Sequence, residues 1–273
     1  MFNARLKRWI VSTFRKLFLY RMFYKLYKVL FKLSLHGMGI LNYENRRLSG
    51  EEVFLKKALG GFGHRFVVVD VGAHDGSYSM IVRRIAPEST VYAFEPHPLT
   101  FRKLEARARS NGFTAFNIGC SDIEGECTLY DYNGGSAHAS LNRSVISEIH
   151  KKEPVGYRVS VVRLDDFLQS KHNVPHIRLL KTDTEGNDLN VLRGAQRLIT
   201  QNAIDIIQFE FNEMNVLTRV FFKDFIDLLS NFRFHRLLPY GAMPLGPYYP
   251  ISFELFAFQN VAAVRNGFDL SIE

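Results

Sequence analysis

One stretch limits what this chain can fold into more than any other. Residues 65–79 read RFVVVDVGAHDGSYS: a β-branched apolar run too short for a helix, two glycines four positions apart, then the start of an amphipathic helical pattern. A strand that breaks into a glycine turn and resumes as a helix opens a βαβ unit, and the turn brings backbone close to whatever lies beyond the strand's carboxyl end. The next apolar run, STVYAFEP (89–96), completes the unit. Strand, helix and strand in that order dictate a right-handed crossover and a parallel pair. A dinucleotide cradle would need G-x-G-x-x-G, but Ala73 and His74 follow Gly72, so the middle glycine is missing. The turn suits an adenosyl amino acid better than a pyrophosphate. A nicotinamide-dependent dehydrogenase is disfavoured for the same reason, and because no Tyr-x-x-x-Lys pair follows the fourth strand.

The alternation continues through a helix at 98–111, strands at 113–119 and 177–183, a helix at 188–200 and a strand at 204–211. Five strands with intervening helices make a doubly wound α/β domain with a mostly parallel sheet. Two strand-like runs, 126–132 and 157–164, interrupt the pattern around the polar loop NGGSAHASLNRS, and a hairpin or edge extension is expected there. After a helix at 219–230, FRFHRLL (232–238) and FELFAFQNVAAV (253–264) read as a closing antiparallel pair. The loop between them, 239–250, is rich in Pro, Gly and Tyr, the composition of a segment that covers a site.

Net charge divides the chain. Residues 1–36 hold nine bases (Arg5, Lys7, Arg8, Arg15, Lys16, Arg21, Lys25, Lys28 and Lys32) and no acid, leaving 26 bases against 27 acids in the rest. The near-neutral body, which also lacks an Asn-Pro-Pro-Tyr-like clamp, argues against nucleic acid as a partner. Arg21, Lys25, Lys28 and Lys32 fall on one helical stripe among Phe, Tyr, Leu, Val and Met, a broad apolar surface with a basic crest. Such a segment can lie in an anionic membrane interface, and its bases interrupt any spanning run or signal-peptide core. The alternative is a helix packed on protein, including a second subunit of a homo-oligomer. The chain therefore divides into a basic amphipathic helical segment, 1–60, and a domain, 61–273. Cys120 and Cys127 fit no metal spacing and read as small buried residues in a reducing compartment.

Candidate site residues follow from the strand ends. Asp70 can hydrogen-bond the glycine turn or a cationic amino group. Glu95 ends the second strand, 19 residues beyond Gly76, where a carboxylate accepts both hydroxyls of a ribose. KTDTEG brings Lys181, Asp183 and Glu185 to the carboxyl edge. Asp183 is the first candidate for general base or metal ligand, and Glu185 the second, as acceptor partner or second ligand. Either could instead serve only the helix dipole. Glu210 and Asn212 end the fifth strand on the same rim and suit sugar hydroxyls, Tyr240 suits stacking on a sugar, and His138 could take a proton if its loop folds over the site.

DVGAHDGSYS, AFEPHP, VVRLDDFL, LLKTDTEGNDLNVLRGA and IIQFEFN, in this order, resemble the FkbM-type methyltransferases, enzymes of the class I S-adenosylmethionine-dependent (Rossmann-like) fold associated with O-methylation of sugars and polyketide-derived metabolites. The resemblance covers about residues 50–265. It assigns Asp70, Gly72 and Gly76 to the methionine part of S-adenosylmethionine, Glu95 to its ribose and Asp122 to its adenine. His74 stands where the family usually has Asn, at the amino-acid end of the cofactor, and Asn187 and Asp188 stand where it usually has EGAE-type residues. The expectation is a cytoplasmic O-methyltransferase, peripheral on a membrane, acting on a saccharide hydroxyl. The alternative is an inactive, membrane-associated binding protein that kept the fold.

Overall fold

The computed structural model describes residues 4–60 and 65–269; the expected domain boundary at residue 61 and both chain ends lie outside them. α1 (Ala4–Phe18), a 3-10 turn (Arg21–Phe23), α2 (Tyr24–Gly37) and α3 (Glu51–Leu59) precede β1 (Val67–Val71). α4 (Ser77–Ile85), β2 (Thr90–Phe94), α5 (Pro98–Asn111) and β3 (Thr114–Phe116) follow. The inserted region holds β4 (Gly119–Cys120), β5 (Gly125–Asp131), a π-helical stretch (Val145–Ile149), β6 (Val155–Val162) and a second such stretch (Asp165–Lys171). The chain then returns through β7 (Ile177–Thr182), α6 (Asp188–Arg193), α7 (Gln196–Thr200), β8 (Ile204–Phe211), α8 (Met214–Thr218) and α9 (Phe222–Leu228). It closes with β9 (Phe232–Leu238), β10 (Gly241–Pro244), α10 (Pro250–Phe253) and β11 (Gln259–Arg265).

Eight strands form one sheet in the order β10-β9-β11-β8-β7-β1-β2-β3. β3, β2, β1, β7 and β8 are parallel, and β11 runs antiparallel to both β8 and β9. The fold is thus the expected class I methyltransferase type, mostly parallel with an antiparallel C-terminal hairpin. Strand order reverses between β1 and β7, so their carboxyl ends diverge into a crevice where such sheets bind ligands. Alternation along the strands divides the core: Val69, Val71, Leu180 and Ile207 meet α6, α7 and α9, while Val68, Leu179 and Ile206 meet α3, α4 and α5. Each fully buried aliphatic side chain contributes roughly 1.5–3 kcal/mol, and this holds the crevice walls in place.

Four expected elements differ. Asn117 donates its side-chain amide to the carbonyls of Glu95 and Pro96, and the run 113–119 splits there into β3 and β4. β4 joins a second, three-stranded sheet, β4-β6-β5, whose antiparallel β5–β6 pair is the expected hairpin. The helix at 188–200 breaks at Gly194, where a Cβ would come within 2.1 Å of the Ser121 carbonyl oxygen. α7 restarts with its Arg197 and Leu198 N–H groups donated to the buried Asp165 carboxylate. The helix expected over 219–230 covers only α9, and the run 253–264 yields α10 residues first and β11 only from Gln259.

Within the expected N-terminal segment, α3 packs against α4, β9 and β10, whereas α1 and α2, apart from the buried Leu35, project most of their apolar residues outward. Trp9, Leu19 and Met22 are 65%, 71% and 79% exposed. Rings of Phe14, Phe18, Phe23 and Tyr27 pack at 5.4–6.3 Å around the bend, and the Tyr27 hydroxyl donates to the Phe18 carbonyl. Arg21 falls in the 3-10 turn, so the basic stripe on α2 begins at Lys25. Among the described residues, no helix is long and apolar enough to cross a membrane.

Candidate active site

A cavity opens at the carboxyl ends of β1, β2 and β7. Val71, Gly72 and His74 form one wall; Phe94, Glu95 and Pro96 a second; Asp183, Thr184, Glu185 and Asn187 a third. Gly119, Cys120 and Leu129 close the back, and Ser136, Ala137, Ala139 and Leu141 of the inserted loop lie over it. That loop is pinned at both sides. The Asp131 carboxylate accepts the N–H groups of Tyr132 (2.7 Å), Gly135 (2.6 Å) and Ser136 (3.2 Å) and the Ser136 hydroxyl, and stands 3.3 Å from His97 Nε2. Burial pushes Asp131 up, but the Gly135 N–H and its other donors outweigh that and hold it at about 2. Beyond it, the Ser140 hydroxyl donates to the Glu185 carbonyl at 2.7 Å.

The glycine turn is shaped by the protein itself. Gly72 has φ +77°, and a Cβ there would lie 1.9 Å from the Asp183 carbonyl oxygen. Gly76, φ +82°, abuts Leu104 and Phe113 and does not line the cavity. His74, also left-handed at φ 49°, donates its N–H to Glu95 Oε2 at 2.9 Å. Asn and His tolerate this backbone region better than most side chains. Glu95 Oε1 accepts the His97 N–H at 2.8 Å, and burial raises the carboxyl to about 7 despite both bonds. Each oxygen keeps a second lone pair for a ligand donor.

Asp70 and Lys181 are corrections to the expected ligand contacts. They face the opposite side of the sheet, paired in register across β1 and β7, with Gln208 next in register on β8. Asp70 is fully buried, accepts the Ser79 hydroxyl at 2.7 Å and lies 3.8 Å from the Lys181 ammonium. Lys181 also holds Asp183 Oδ2 at 3.0 Å and sits 4.9 Å over the Tyr78 ring. Burial pulls Lys181 down, but Asp183, Asp70 and Glu51 outweigh it, and the net direction is upward. The network extends from the Tyr78 hydroxyl to Gln208 and from Gln208 to Glu51 on α3. It supports the crevice floor and keeps Asp183 in place.

The rim above this floor is acidic. Burial raises Glu185 to about 7 and Asp188 to about 6, and lifts Glu210 well above its ordinary range, with Asp183 reinforcing all three. His138 Nδ1 is 3.6 Å from Glu185 Oε1, an ion-pair distance, so the loop does bring His138 to the rim. His150, which sequence reasoning missed, stacks on His138 with ring centroids 4.5 Å apart. Donor atoms of His138, His150 and Glu185 converge, whereas Asp183, expected as a metal ligand with Glu185, lies outside that group.

Other expected contacts fall elsewhere. Asn212 is buried and spent locally, its Oδ1 accepting the Met214 N–H and its amide reaching Glu210 Oε2 at 3.4 Å. Glu210 is near the acidic rim electrostatically but does not line the cavity. Asp122 is exposed and bonded to the Ser121 hydroxyl, outside the cavity wall. Tyr240 is 84% exposed in the turn between β9 and β10; β10 forms the outer edge of the sheet, and no residue of 239–250 lines the cavity. Cys127 is only half-buried, while Cys120 is buried in the cavity wall.

Residues 70–236 match the Methyltransferase FkbM domain. The chain belongs to the FkbM methyltransferase family. It is similar to Methyltransferase 1 of Beauveria bassiana, 27% identical over 161 residues, covering 53% of this chain and 65% of that one. It is also similar to the 2-O-methyltransferase NoeI of Sinorhizobium fredii, 24% identical over 192 residues, covering 64% and 75% of the two chains. The hexuronic acid methyltransferase AglP of Haloferax volcanii is 27% identical over 172 residues, covering 62% and 64%. The matched FkbM region includes every cavity-lining residue and the inserted loop.

The cavity residues missed by sequence reasoning are mostly apolar: Phe94, Leu129, Ala137, Ala139 and Leu141. Alternation could have aimed Phe94 at the site side of β2. Leu129 and the alanines depend on how the insertion folds back, for which the sequence carries no local signal.

Proposed function

We propose that this chain is an S-adenosylmethionine-dependent O-methyltransferase acting on a hydroxyl of a sugar-bearing acceptor. One observation carries the reading: a single cavity has a ribose-type carboxylate, Glu95, on one wall and an acidic rim, Asp183 and Glu185, on another, with the Gly72–His74 turn between them. The residues fit the cofactor. Spare lone pairs on Glu95 suit the ribose diol, Phe94, Pro96 and Leu129 offer an apolar slot for adenine, and His74 Nε2, buried without a hydrogen-bond partner, is available at the methionine end. When bound, S-adenosylmethionine supplies a methyl group on a sulfonium, ready for in-line attack.

The rest is done by the chain. Alignment of donor and acceptor accounts for roughly 7–11 kcal/mol of barrier in reactions of this kind. Asp183 takes the proton of the acceptor hydroxyl, held at its post by Lys181 and by the N–H it donates to the Val71 carbonyl. The loop over the cavity excludes water from the methyl group. The sugar acceptor is supported by what NoeI and AglP are named for, 2-O-methylation and a hexuronic acid. α1 and α2 then place the domain at the cytoplasmic side of an anionic membrane, rings toward acyl chains and Lys25, Lys28 and Lys32 toward headgroups.

Calorimetric titration with S-adenosylmethionine and its demethylated product, against NAD, tests the cofactor. Micromolar binding of the adenosyl pair that is lost in Glu95→Ala supports the reading; a folded chain that binds neither overturns it and leaves the inactive scaffold. For the membrane part, deleting residues 1–36 abolishes sedimentation with anionic vesicles if the anchor is real, and unchanged sedimentation refutes it.

A further inference from the structure

We propose that His138, His150 and Glu185 form a binding site for one divalent transition-metal ion, of the zinc and cobalt class, at the acceptor end of the cavity. One ligand atom from each lies within 4.8 Å of the other two. His138 Nδ1 and Glu185 Oε1 are already 3.6 Å apart. Two ligands held at about 2.05 Å by a tetrahedral ion stand about 3.4 Å from one another, so this pair has ligand spacing before any ion arrives. Bringing His150 to the same spacing closes at most about 1.4 Å by this measure. The His138 side chain, 46% exposed, has room to adjust with it.

The second observation is unspent bonding capacity. His150 Nε2 and Glu185 Oε2 are buried with no hydrogen-bond partner, a costly state that ligation relieves. Two imidazoles and one carboxylate suit zinc, cobalt, iron or manganese, whereas magnesium and calcium take oxygen ligands. Three protein ligands leave coordination positions for an oxygen from outside. The ligands come from the inserted loop, from the residue that ends the π-helical stretch Val145–Ile149 and from the turn after β7, so an ion would tie the insertion to the rim. An acceptor hydroxyl bound there would become more acidic and pass its proton to Asp183. That last consequence rests on the methyltransferase reading; the site itself does not.

The test is titration of the chelator-treated full chain with cobalt(II) chloride, followed by calorimetry and by ligand-field absorption. One equivalent of cobalt with visible bands, displaced by zinc, is expected. His150→Ala and, separately, Glu185→Gln should weaken cobalt at least about tenfold to a hundredfold. No heat and no bands in the unaltered chain, or cobalt affinity unchanged in both variants, overturns the site. Should His150→Ala lose its cooperative melt, His138→Gln at the half-exposed position gives the same readout. Titration with S-adenosylmethionine in the same samples separates the two readings: cofactor binding without cobalt leaves the methyltransferase standing, and cobalt binding without cofactor leaves the metal site.

Discussion

The turns after β1 and β7 lie side by side and share a backbone plan. Each has one non-glycine residue in the left-handed region, His74 at φ 49° and Glu185 at φ 52°, followed by a left-handed glycine, Gly76 or Gly186. Each also buries one unpartnered side-chain atom, His74 Nε2 and Glu185 Oε2, but they differ in what fixes them and in charge. In the first turn the His74 N–H is spent on Glu95, and Gly72 is wedged against the Asp183 carbonyl. In the second, three carboxyl groups crowd together and Glu185 Oε2 has no partner. The first turn is fixed by backbone contacts, whereas the second concentrates acid, with Asp183 raising both Glu185 and Asp188. Unpaired buried groups are costly to a fold and mark candidate sites of chemistry.

Substitutions can break that contrast. Asp183→Asn should lower turnover about 10²–10⁴-fold while leaving cofactor affinity unchanged, read by single-turnover kinetics beside calorimetry. Equal losses in both would make the second turn as structural as the first. Gly72→Ala should destabilise the fold by about 2–5 kcal/mol in denaturant titration, combining left-handed strain of roughly 1–2 kcal/mol with a backbone clash. A variant as stable as the parent would mean that the two turns do not depend on each other. Glu95→Ala should cost about 1.5–3 kcal/mol of cofactor affinity, the scale for hydrogen bonds to a charged group.

The same carboxylate gives a pH signature. Glu95 is raised from 4.5 to about 7, and a ribose diol donates to its ionised form. Cofactor affinity should be full above that value and fall about tenfold per unit below it, a dependence that Glu95→Gln removes. For folding the sign reverses: burying this acid favours the fold at low pH, and that contribution fades as pH rises from 4.5 through about 7. The smallest effect belongs to His74→Asn, within about 0.5 kcal/mol of the parent in a thermal melt, because Asn tolerates the same backbone region. A larger loss would give the imidazole itself a role.

The turn after β1 was legible because its signals are local: β-branched run, two glycines, then helical spacing. What could not be read was the reason for Gly72, since its neighbour, Asp183, is far along the chain. Strand alternation puts Asp70 and Lys181 on one face each but not on which face, and only pairing across β1 and β7 reveals that they meet beneath the site. Glu95 was legible from its place at the end of β2. His150 was not, because the π-helical stretch that presents it has no distinct hydrophobic period. Gly194 looked like an ordinary helix interior until Ser121, from another element, came against it.

The reach of Glu51 sets an order of events during synthesis. Its partner Gln208 lies 157 residues later, and α3 packs on β9 and β10, which emerge later still. At about 5–20 residues per second, α3 waits on the order of 9–37 s for the strands that bury it. Throughout that interval the residues of α1 and α2 are already made, and the rings of their cluster all lie within residues 14–27. Any surface that suits these two helices therefore meets them before the domain behind them has closed.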